Sequence, residues 1–392
     1  MLVALISVTA IAGMRPTTTY RAIDLGANTF EIGLVQSAVS ILPALTAVAI
    51  GRWIDRRGEA GMYTFALIVL AIGGILSALA TDLVQLAFGQ SLVGFGSISA
   101  FISGQAMVVN RTRPDDWNRR FGTYAAFLSM GQLVGPSAAA AIQEIPALGA
   151  ESERAVFLAA ALAAFAAAVL TRVIPPGPKP AASVAGGQGS LLAAVRRVLR
   201  RPGMFAAMFV SVSVASTVDV LAAYLPVYGT VTNLPVQLVG LILSVRAAAT
   251  MISRVSMDAL LHRFGWQAVL VGCLATSGAM LALLPTTAVP ALLLGIAAVL
   301  GLAIGMVQPM TITWVATQSP KAERGTALAV RLTGNRISLL MVPAIMGAVA
   351  GSAGVGAVFW FLAAALGVGS LVSRTARLDV PGRPTTDPPA GR

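Results

Sequence analysis

The stretch Gly51-Arg52-Trp53-Ile54-Asp55-Arg56-Arg57-Gly58 lies between two long apolar runs, residues 31–51 and 62–80. Four of its eight residues are charged, whereas each flanking run is long enough to cross a bilayer as a helix. A polar segment between two membrane-length runs is expected at a water interface, because lipid cannot satisfy its polar groups. Its three arginines place that interface on the cytoplasmic side. The stretch therefore predicts a membrane protein with this loop inside the cell.

The composition supports the same class. Of 392 residues, 57% are hydrophobic and only 11% are charged, and the mean hydropathy is +0.83. Soluble domains carry about 25% charged residues, so the composition argues against a large soluble all-helical protein, which is the alternative. The net charge of +12 does not indicate nucleic-acid binding, since the arginines recur in short clusters between apolar runs. One cysteine and one histidine exclude an intrachain disulfide and argue against a His/Cys metal site.

The apolar runs divide the chain into twelve candidate spans, each close to or above the length a helix needs to cross the hydrocarbon core. The first span contains an arginine and a proline, and it is the weakest of the set; no cleavable signal peptide is predicted, because the first residues lack a basic segment. The spans are 2–24, 31–51, 62–80, 83–109, 122–143, 154–174, 204–228, 236–258, 266–284, 289–316, 326–350 and 354–373.

The distribution of arginine and lysine tests the topology. With the N-terminus in the cytoplasm, twenty of these residues fall in inner segments, five fall within spans, and only Arg21 and Arg154 fall in outer segments. Such a bias fixes orientation, because basic residues are retained on the cytoplasmic side. We therefore expect a multi-pass protein of the inner (plasma) membrane with both termini cytoplasmic.

One segment interrupts the rhythm of spans. Residues 175–203 begin with four prolines within six residues, which end a helix, and they finish with a short basic amphipathic helix expected at the inner surface. The predicted organisation is a six-helix bundle over 1–174, this cytoplasmic linker, a second six-helix bundle over 204–376, and a disordered tail over 377–392.

The two halves are copies of each other. Gly33-Leu34-Val35-Gln36-Ser37 aligns with Gly240-Leu241-Ile242-Leu243-Ser244, an offset of 207 residues. The same offset places His262 where the first half has Asp55, so the second loop is degenerate. The fold class predicted is an all-α membrane protein with twelve transmembrane helices in two bundles related by a pseudo-twofold axis.

This organisation resembles the major facilitator superfamily. The stretch 51–58 is similar to the Gly-x-x-x-Asp-Arg-x-Gly loop between helices two and three of that family. The resemblance implies that Gly51, Asp55, Arg56 and Gly58 form a cytoplasmic latch between the two halves. It also implies a substrate site between the repeats near the membrane midplane.

The fifth span carries a second family-like pattern. Gly122, Gly131, Gly135 and Pro136 match Gly-x8-Gly-x3-Gly-Pro-x2-Gly, with Ala139 in place of the last glycine. In the family this motif accompanies proton-driven export. Its physical meaning is close packing at the small residues and a bend at the proline, although glycine and proline are common in membrane helices in any case.

The fourth span departs from the exporter pattern. Gly94-Phe95-Gly96 is present, but Gln90 stands where such exporters often carry an arginine. The family's usual proton relay through that arginine is therefore not expected, and coupling must use other groups.

Ionisable residues within spans are the best candidates for a transport site, because each is expensive in lipid. Arg15 and Asp219 lie near the middle of spans one and seven, each five residues before a tyrosine, Tyr20 and Tyr224. In the family that this chain resembles, helices one and seven line the central cavity, and the resemblance therefore implies that Arg15 and Asp219 face each other across it. The pair could couple proton and substrate, if protonation or an anion breaks it, or it could be a static buried pair.

Further cations lie in later spans. Arg246 is in span eight, while Arg331 and Asn335 share one face of span eleven, from which Arg336 points elsewhere. Together with the arginine of span one, these cations outnumber the aspartate, which predicts a positive cavity and an anionic or carboxylate-bearing substrate. A structural role for Arg246 is the alternative. Other possible hydrogen-bonding groups are Gln36, Gln132, Gln308 and the two tyrosines, although polar residues in membrane helices more often bind neighbouring helices.

The sequence predicts a secondary active transporter that works by alternating access, and the pattern of the fifth span favours a proton-coupled exporter or antiporter. The alternatives are an uptake permease for a small anion or organic acid and a non-transporting membrane scaffold or sensor. No nucleophile–base set or phosphate loop indicates an enzyme. The expected partners are a small-molecule substrate and the bilayer, without nucleic acid or cofactor other than a proton gradient, and the expected state is a monomer.

Overall fold

The computed structural model describes residues 1–46, 50, 53, 58–112, 117–173, 196, 198, 200, 201, 203–319 and 324–375. Regular structure in this part of the chain is helical. The main helices are α1 (Leu2–Asp24), α2 (Thr29–Ala38), α3 (Glu59–Leu79), α4 (Leu83–Asn110), α5 (Trp117–Gln143), α6 (Ser152–Thr171), α7 (Met204–Val231), α8 (Val236–Phe264), α9 (Trp266–Leu283), α10 (Pro290–Thr317), α11 (Arg324–Ala353) and α12 (Val355–Thr375).

Twelve segments of the described chain are long and apolar enough to cross a membrane, which confirms the predicted number. The span that contains α2 covers Thr29–Thr46. Several helices extend beyond the predicted apolar runs: α5 begins at Trp117 rather than 122, and α11 covers Arg324–Ala353 rather than 326–350. A helix can continue into the interface, since water satisfies polar side chains there while backbone bonds stay intact.

Two predicted features fall largely outside the described residues. Gly51, Asp55 and Arg56 of the predicted latch lie there, and only Gly58 is described, as the residue that precedes α3. Most of the predicted linker 175–203 and the tail 377–392 lie there too.

Two helices that start at the same end of the bundle, α2 and α4, are each capped by a polar side chain. Asn28 and Glu31 form a reciprocal capping box at the start of α2, with the Asn28 side chain accepting from the backbone N–H of Glu31 at 3.0 Å. Asp82 caps α4 by accepting from the backbone N–H of Gln85 at 2.8 Å. We call this end of the bundle the opposite end, and the end that carries the arginine-rich segments the basic end.

The count of basic residues placed Arg21 in an outer segment, and the structure places it elsewhere. It lies within α1, is buried, and donates from Nη2 to the carbonyl of Ala80 at 2.7 Å. The carbonyl belongs to the C-cap of α3, which has no partner further along its own helix. Arg21 is therefore an inter-helix contact near the opposite end.

The helices of the two halves pair in a symmetric way. Helix α2 packs on α11, and its repeat equivalent α8 packs on α5, which is the repeat equivalent of α11. Helix α1 packs on its own equivalent, α7. Exchange of the two halves maps these contacts onto one another, so they agree with the predicted pseudo-twofold relation. The site between the halves is therefore lined by α1, α2, α5 and their equivalents.

Candidate transport site between the two halves

An ion pair joins the two halves near the middle of α1 and α7. Nη1 of Arg15 donates to Oδ1 of Asp219. Arg15 lies about 20 Å from the start of α1 along its axis, at about 1.5 Å per residue. One turn further, the Thr19 hydroxyl donates to the carbonyl of Ala223 at 2.8 Å. Both contacts join residues 204 positions apart, which is also the separation of Tyr20 and Tyr224, so α1 and α7 cross in the register of that local alignment.

The ion pair borders a small cavity. Its volume is about 20 Å³, which is room for a single water molecule. The side chains of Arg15 and Asp219 are 34% and 18% exposed, so both charges are reachable rather than sealed in the core. The remaining lining residues come from both halves and are Gln36, Val39, Ser40, Ala223, Leu339 and Pro343.

Gln36 fixes the first half of this site. Its Nε2 donates to the Thr19 hydroxyl at 2.9 Å and to the carbonyl of Arg15 at 3.2 Å. Arg15 directly precedes Pro16, which lies inside α1 and weakens the helix there. The hydrogen bond from Gln36 to the Arg15 carbonyl supports the helix at this point. Gln36 thus positions Arg15.

Two more arginines add positive charge near the pair. The charges of Arg246 and Arg336 both act on Arg15 electrostatically. Arg246 is 9% exposed, and within the described chain its Nε has no hydrogen-bond partner and no ion pair reaches its side chain. Arg336 stands one turn from Leu339 and two turns from Pro343, so it shares their face of α11. The face of α11 that carries Arg336 is therefore the face that borders the cavity beside Arg15.

Arg336 is the residue that the sequence analysis missed. Its spacing from Pro343 was the available signal, since both residues lie on one helical face. The sequence did not reveal that this face, rather than the one with Arg331, turns toward Arg15.

Arg331 and Asn335 lie between helices of the second half. Nη2 of Arg331 donates to the Thr311 hydroxyl at 2.9 Å and to the carbonyl of Gln308 at 3.5 Å. The side-chain oxygen of Asn335 accepts from the Ser211 hydroxyl at 3.1 Å. Both residues are buried, so this face of α11 packs on α7 and α10. The side chain of Gln308 itself is half-buried.

The two tyrosines have different surroundings. The Tyr224 hydroxyl donates to the carbonyl of Pro343 at 2.8 Å and lies 3.3 Å from the carbonyl of Thr29. It thus joins α7 to α11 and to the start of α2. The Tyr20 hydroxyl is buried and has no hydrogen-bond partner in the described part of the chain.

Close contacts between the halves continue toward the opposite end. A Cβ placed on Gly240 would lie 2.8 Å from the carbonyl oxygen of Pro136, and one placed on Gly33 would clash with the carbonyl of Pro343. Gly33 and Gly240 are 207 residues apart, and so are Pro136 and Pro343, so the two contacts are repeat equivalents. Only a residue without a side chain fits such an approach.

The glycine motif of α5 packs on α1. A Cβ on Gly131 would lie 2.9 Å from the backbone N of Thr9, and one on Gly135 would lie 2.6 Å from its carbonyl oxygen. Pro136 faces α8 instead, through the contact with Gly240. The backbone of Gly122 lies in α5. The motif therefore packs α5 against α1 of the first half on one side and against α8 of the second half on the other.

The remaining polar candidates are dispersed. Gln132 is exposed and lies one turn from Pro136 toward the basic end. Gln90, which replaces the exporters' arginine, is buried and donates to the Ser77 hydroxyl at 2.9 Å, so it faces α3.

The sequence matches a family model along its whole length. The model, described as Major Facilitator Superfamily, matches residues 1–289 and 232–392. The chain belongs to this superfamily. This is a superfamily of membrane transporters, so the assignment agrees with the class of protein that the sequence predicts.

Curated relatives match only a part of this superfamily protein. The Staphyloferrin B transporter of Staphylococcus aureus is 30% identical over 134 residues, which is 34% of this chain and 31% of the relative. The human vesicular acetylcholine transporter is 33% identical over 107 residues, which is 27% of this chain and 20% of the relative. The chain thus spans less than a third of the length of these relatives.

Solved structures match nearly the whole chain. The nucleoside transporter NupG superposes with a TM-score of 0.76 at 15% identity, covering 95% of this chain and 96% of NupG. The inward open conformation of the xylose transporter XylE from E. coli gives 0.77 at 14% identity, covering 97% and 96%. At such identities the likeness establishes the fold, which confirms the predicted twelve-helix class.

Proposed function

We propose that this protein is a secondary active transporter that exports a small anionic molecule across the inner membrane in exchange for protons. The observation that carries the proposal is the ion pair between Arg15 and Asp219, because it joins the two halves at mid-depth. Transport by alternating access requires the halves to move against each other. A contact that spans them is placed to respond to that movement.

The pair provides a means of coupling. Protonation of Asp219 would remove its attraction for Arg15, and an anion bound to Arg15 would compete with the carboxylate. Either event changes the contact between α1 and α7, so proton and substrate would bias the same conformational equilibrium. Both side chains are partly exposed, as such a role requires.

The charge balance favours an anionic substrate. Arg246 is buried without a partner among the described residues, and an unpaired charge within a membrane protein is costly. An anionic group of the substrate would supply the missing counter-charge. Arg15 and Arg336 add to the same positive field.

Contacts between the halves support the assignment of a conformation. Those carried by Gly33, Gly240 and Tyr224 lie toward the opposite end. Close packing there is the arrangement of a transporter closed on that side, with access from the basic end. Both termini would be cytoplasmic, the basic end would face the cytoplasm, and the working unit would be the monomer.

The test is a transport assay with the full chain in proteoliposomes under an imposed pH gradient. The panel contains mono-, di- and tricarboxylates, a nucleoside, a sugar and a quaternary amine. We expect the gradient to drive accumulation of an anion and of no neutral or cationic compound. Accumulation of the sugar or the amine, with no anion moved, would overturn the anionic assignment.

The second candidate is an uptake permease for a small organic acid. Its support is the excess of arginine in the site, together with structural neighbours that include a protein described as a D-xylose-proton symporter. The orientation of the pH gradient distinguishes the two. An exporter moves the anion against the proton flow, whereas a symporter moves it along with the protons.

A further inference from the structure

A second cavity lies inside the first half at its basic end, away from the ion pair. Its volume is about 620 Å³, enough for the polar part of an amphiphile. It is bounded by the first turn of α1, the beginnings of α3 and α5, and the end of α4. Further along α1, toward the opposite end, the glycines of α5 pack closely on this helix and leave no such space.

One wall of the cavity carries a fixed arginine. Nε of Arg111 donates to Oε1 of Glu59 at 3.1 Å, and Nδ2 of Asn110 donates to the other carboxylate oxygen at 3.2 Å. Glu59 is 1% exposed, whereas the Arg111 side chain is 23% exposed and lines the cavity. The buried carboxylate therefore holds the guanidinium in one position at the wall, which lowers the entropic cost of binding a ligand.

A second arginine stands at the mouth. Arg120 lines the cavity and is exposed, and in the described part of the chain it has neither an ion pair nor a hydrogen bond. The charge of Arg111 is shared with Glu59, whereas that of Arg120 is not. Among the described residues that line the cavity, the charged side chains are therefore two arginines.

The interior combines hydroxyl groups with apolar surface. Tyr63 and Tyr124 line it from α3 and α5, and both are almost fully buried. The phenolic hydroxyl group of a tyrosine can donate a hydrogen bond to a ligand. Val3 and Met107 form apolar parts of the wall. A ligand that fits has a negative head and an adjoining apolar or glycerol-like portion.

We propose that this cavity binds the phosphate group of an anionic phosphodiester or phosphomonoester, with Arg111 and Arg120 as its charged partners and Tyr124 as a hydroxyl donor. Guanidinium groups match phosphate oxygens in charge and geometry. Basic pockets between transmembrane helices at the cytoplasmic surface hold lipid headgroups, so an anionic phospholipid is one source of the group. A soluble phosphate ester is the other.

The experiment is native mass spectrometry of the full chain in non-ionic detergent, titrated with phosphatidylglycerol or with phosphatidylcholine of the same acyl chains. We expect phosphatidylglycerol to bind more tightly than phosphatidylcholine. Arg120→Gln should weaken phosphatidylglycerol binding about fivefold, the effect of one basic residue at a membrane surface. Because Arg120 is exposed, its replacement should leave the melting temperature unchanged.

The matched control is Arg172→Gln, which removes one exposed arginine at the basic end of the same half but outside the cavity. It should leave lipid binding unchanged. Displacement of the lipid by millimolar glycerol 1-phosphate would identify a soluble ester as the ligand, and retention would identify the lipid. Equal binding of the two lipids, or equal weakening by Arg120→Gln and Arg172→Gln, would overturn the proposal.

Discussion

Alanine in place of Gly33 and Gly240 should open the opposite end of the protein. An added Cβ at Gly33 would lie 2.7 Å from the Tyr224 hydroxyl, and one at Gly240 would lie 2.7 Å from Cβ of Ala140. Contacts between carbon atoms are favourable only near 3.5–4.0 Å. The neighbours of both positions include helix backbone, which cannot yield as the end of a flexible side chain can.

The magnitude follows from the cost of overpacking. Each extra methyl group in a well-packed contact costs about 1–3 kcal/mol, and here only the state closed at the opposite end bears it. A difference of this size shifts a two-state equilibrium about 5- to 150-fold. The gain in helix propensity on replacing glycine by alanine is common to both states and cancels. The two positions lie on different helix pairs, so their effects should add.

Spin-label distance measurements test this shift. Cys273 is the single cysteine, so Cys273→Ser gives a background in which Phe30→Cys and Ser352→Cys place labels on exposed sites of α2 and α11. We expect the variant with both alanines to show a population with a longer distance between the two labels. The parent should lack this population or show it only weakly.

The control is Gly295→Ala, because an added Cβ there meets nothing within 4 Å. It should reproduce the parent distances. If the double variant gives the same distance distribution as Gly295→Ala, the paired glycine contacts do not hold this end closed.

Three further substitutions are informative. Arg246→Met should raise the melting temperature, since it removes a buried charge without a partner among the described residues. The same substitution should weaken anion transport at least tenfold. A fall in both the melting temperature and the transport rate would indicate a structural role. Glu59→Gln should destabilise the protein by about 1.5–3 kcal/mol in thermal unfolding, because it weakens charged hydrogen bonds. The control Glu151→Gln, at an exposed ion pair, should cost less than about 1 kcal/mol. Equal losses of stability in the two variants would contradict a buried ion pair between Glu59 and Arg111. Tyr224→Phe should lengthen the spin-label distance at the opposite end, whereas Tyr228→Phe, which loses a bond to Thr287 within the second half, should not.

The sequence predicted the fold because lipid imposes strong rules. Span length, the bias of arginine and the 207-residue repeat required no tertiary information. A local alignment through Tyr20 and Tyr224, which are 204 residues apart, placed Arg15 opposite Asp219, since pseudo-symmetric helices meet at equivalent depths.

The sequence could not predict which neighbour each helix face contacts. Arg331 and Arg336 lie on different faces of α11, and spacing alone favoured Arg331 for the cavity. In the structure, Arg331 bonds to Thr311 within the second half, and Arg336 acts on Arg15. Helix rotation depends on packing, including the contact at Pro343 that Gly33 permits. Hydrophobic periodicity is weak in a helix surrounded by apolar groups on all sides, so it does not fix that rotation.

The central claim is that Asp219 couples protons to the anion. The most direct measurement is the internal pH of proteoliposomes when an anion gradient is imposed, for the parent and for Asp219→Asn, with Asp82→Asn at the capping site of α4 as the control. The parent and Asp82→Asn should show a substrate-driven pH change, while Asp219→Asn should move the anion downhill without one. A substrate-driven pH change of parental size in Asp219→Asn would contradict the account.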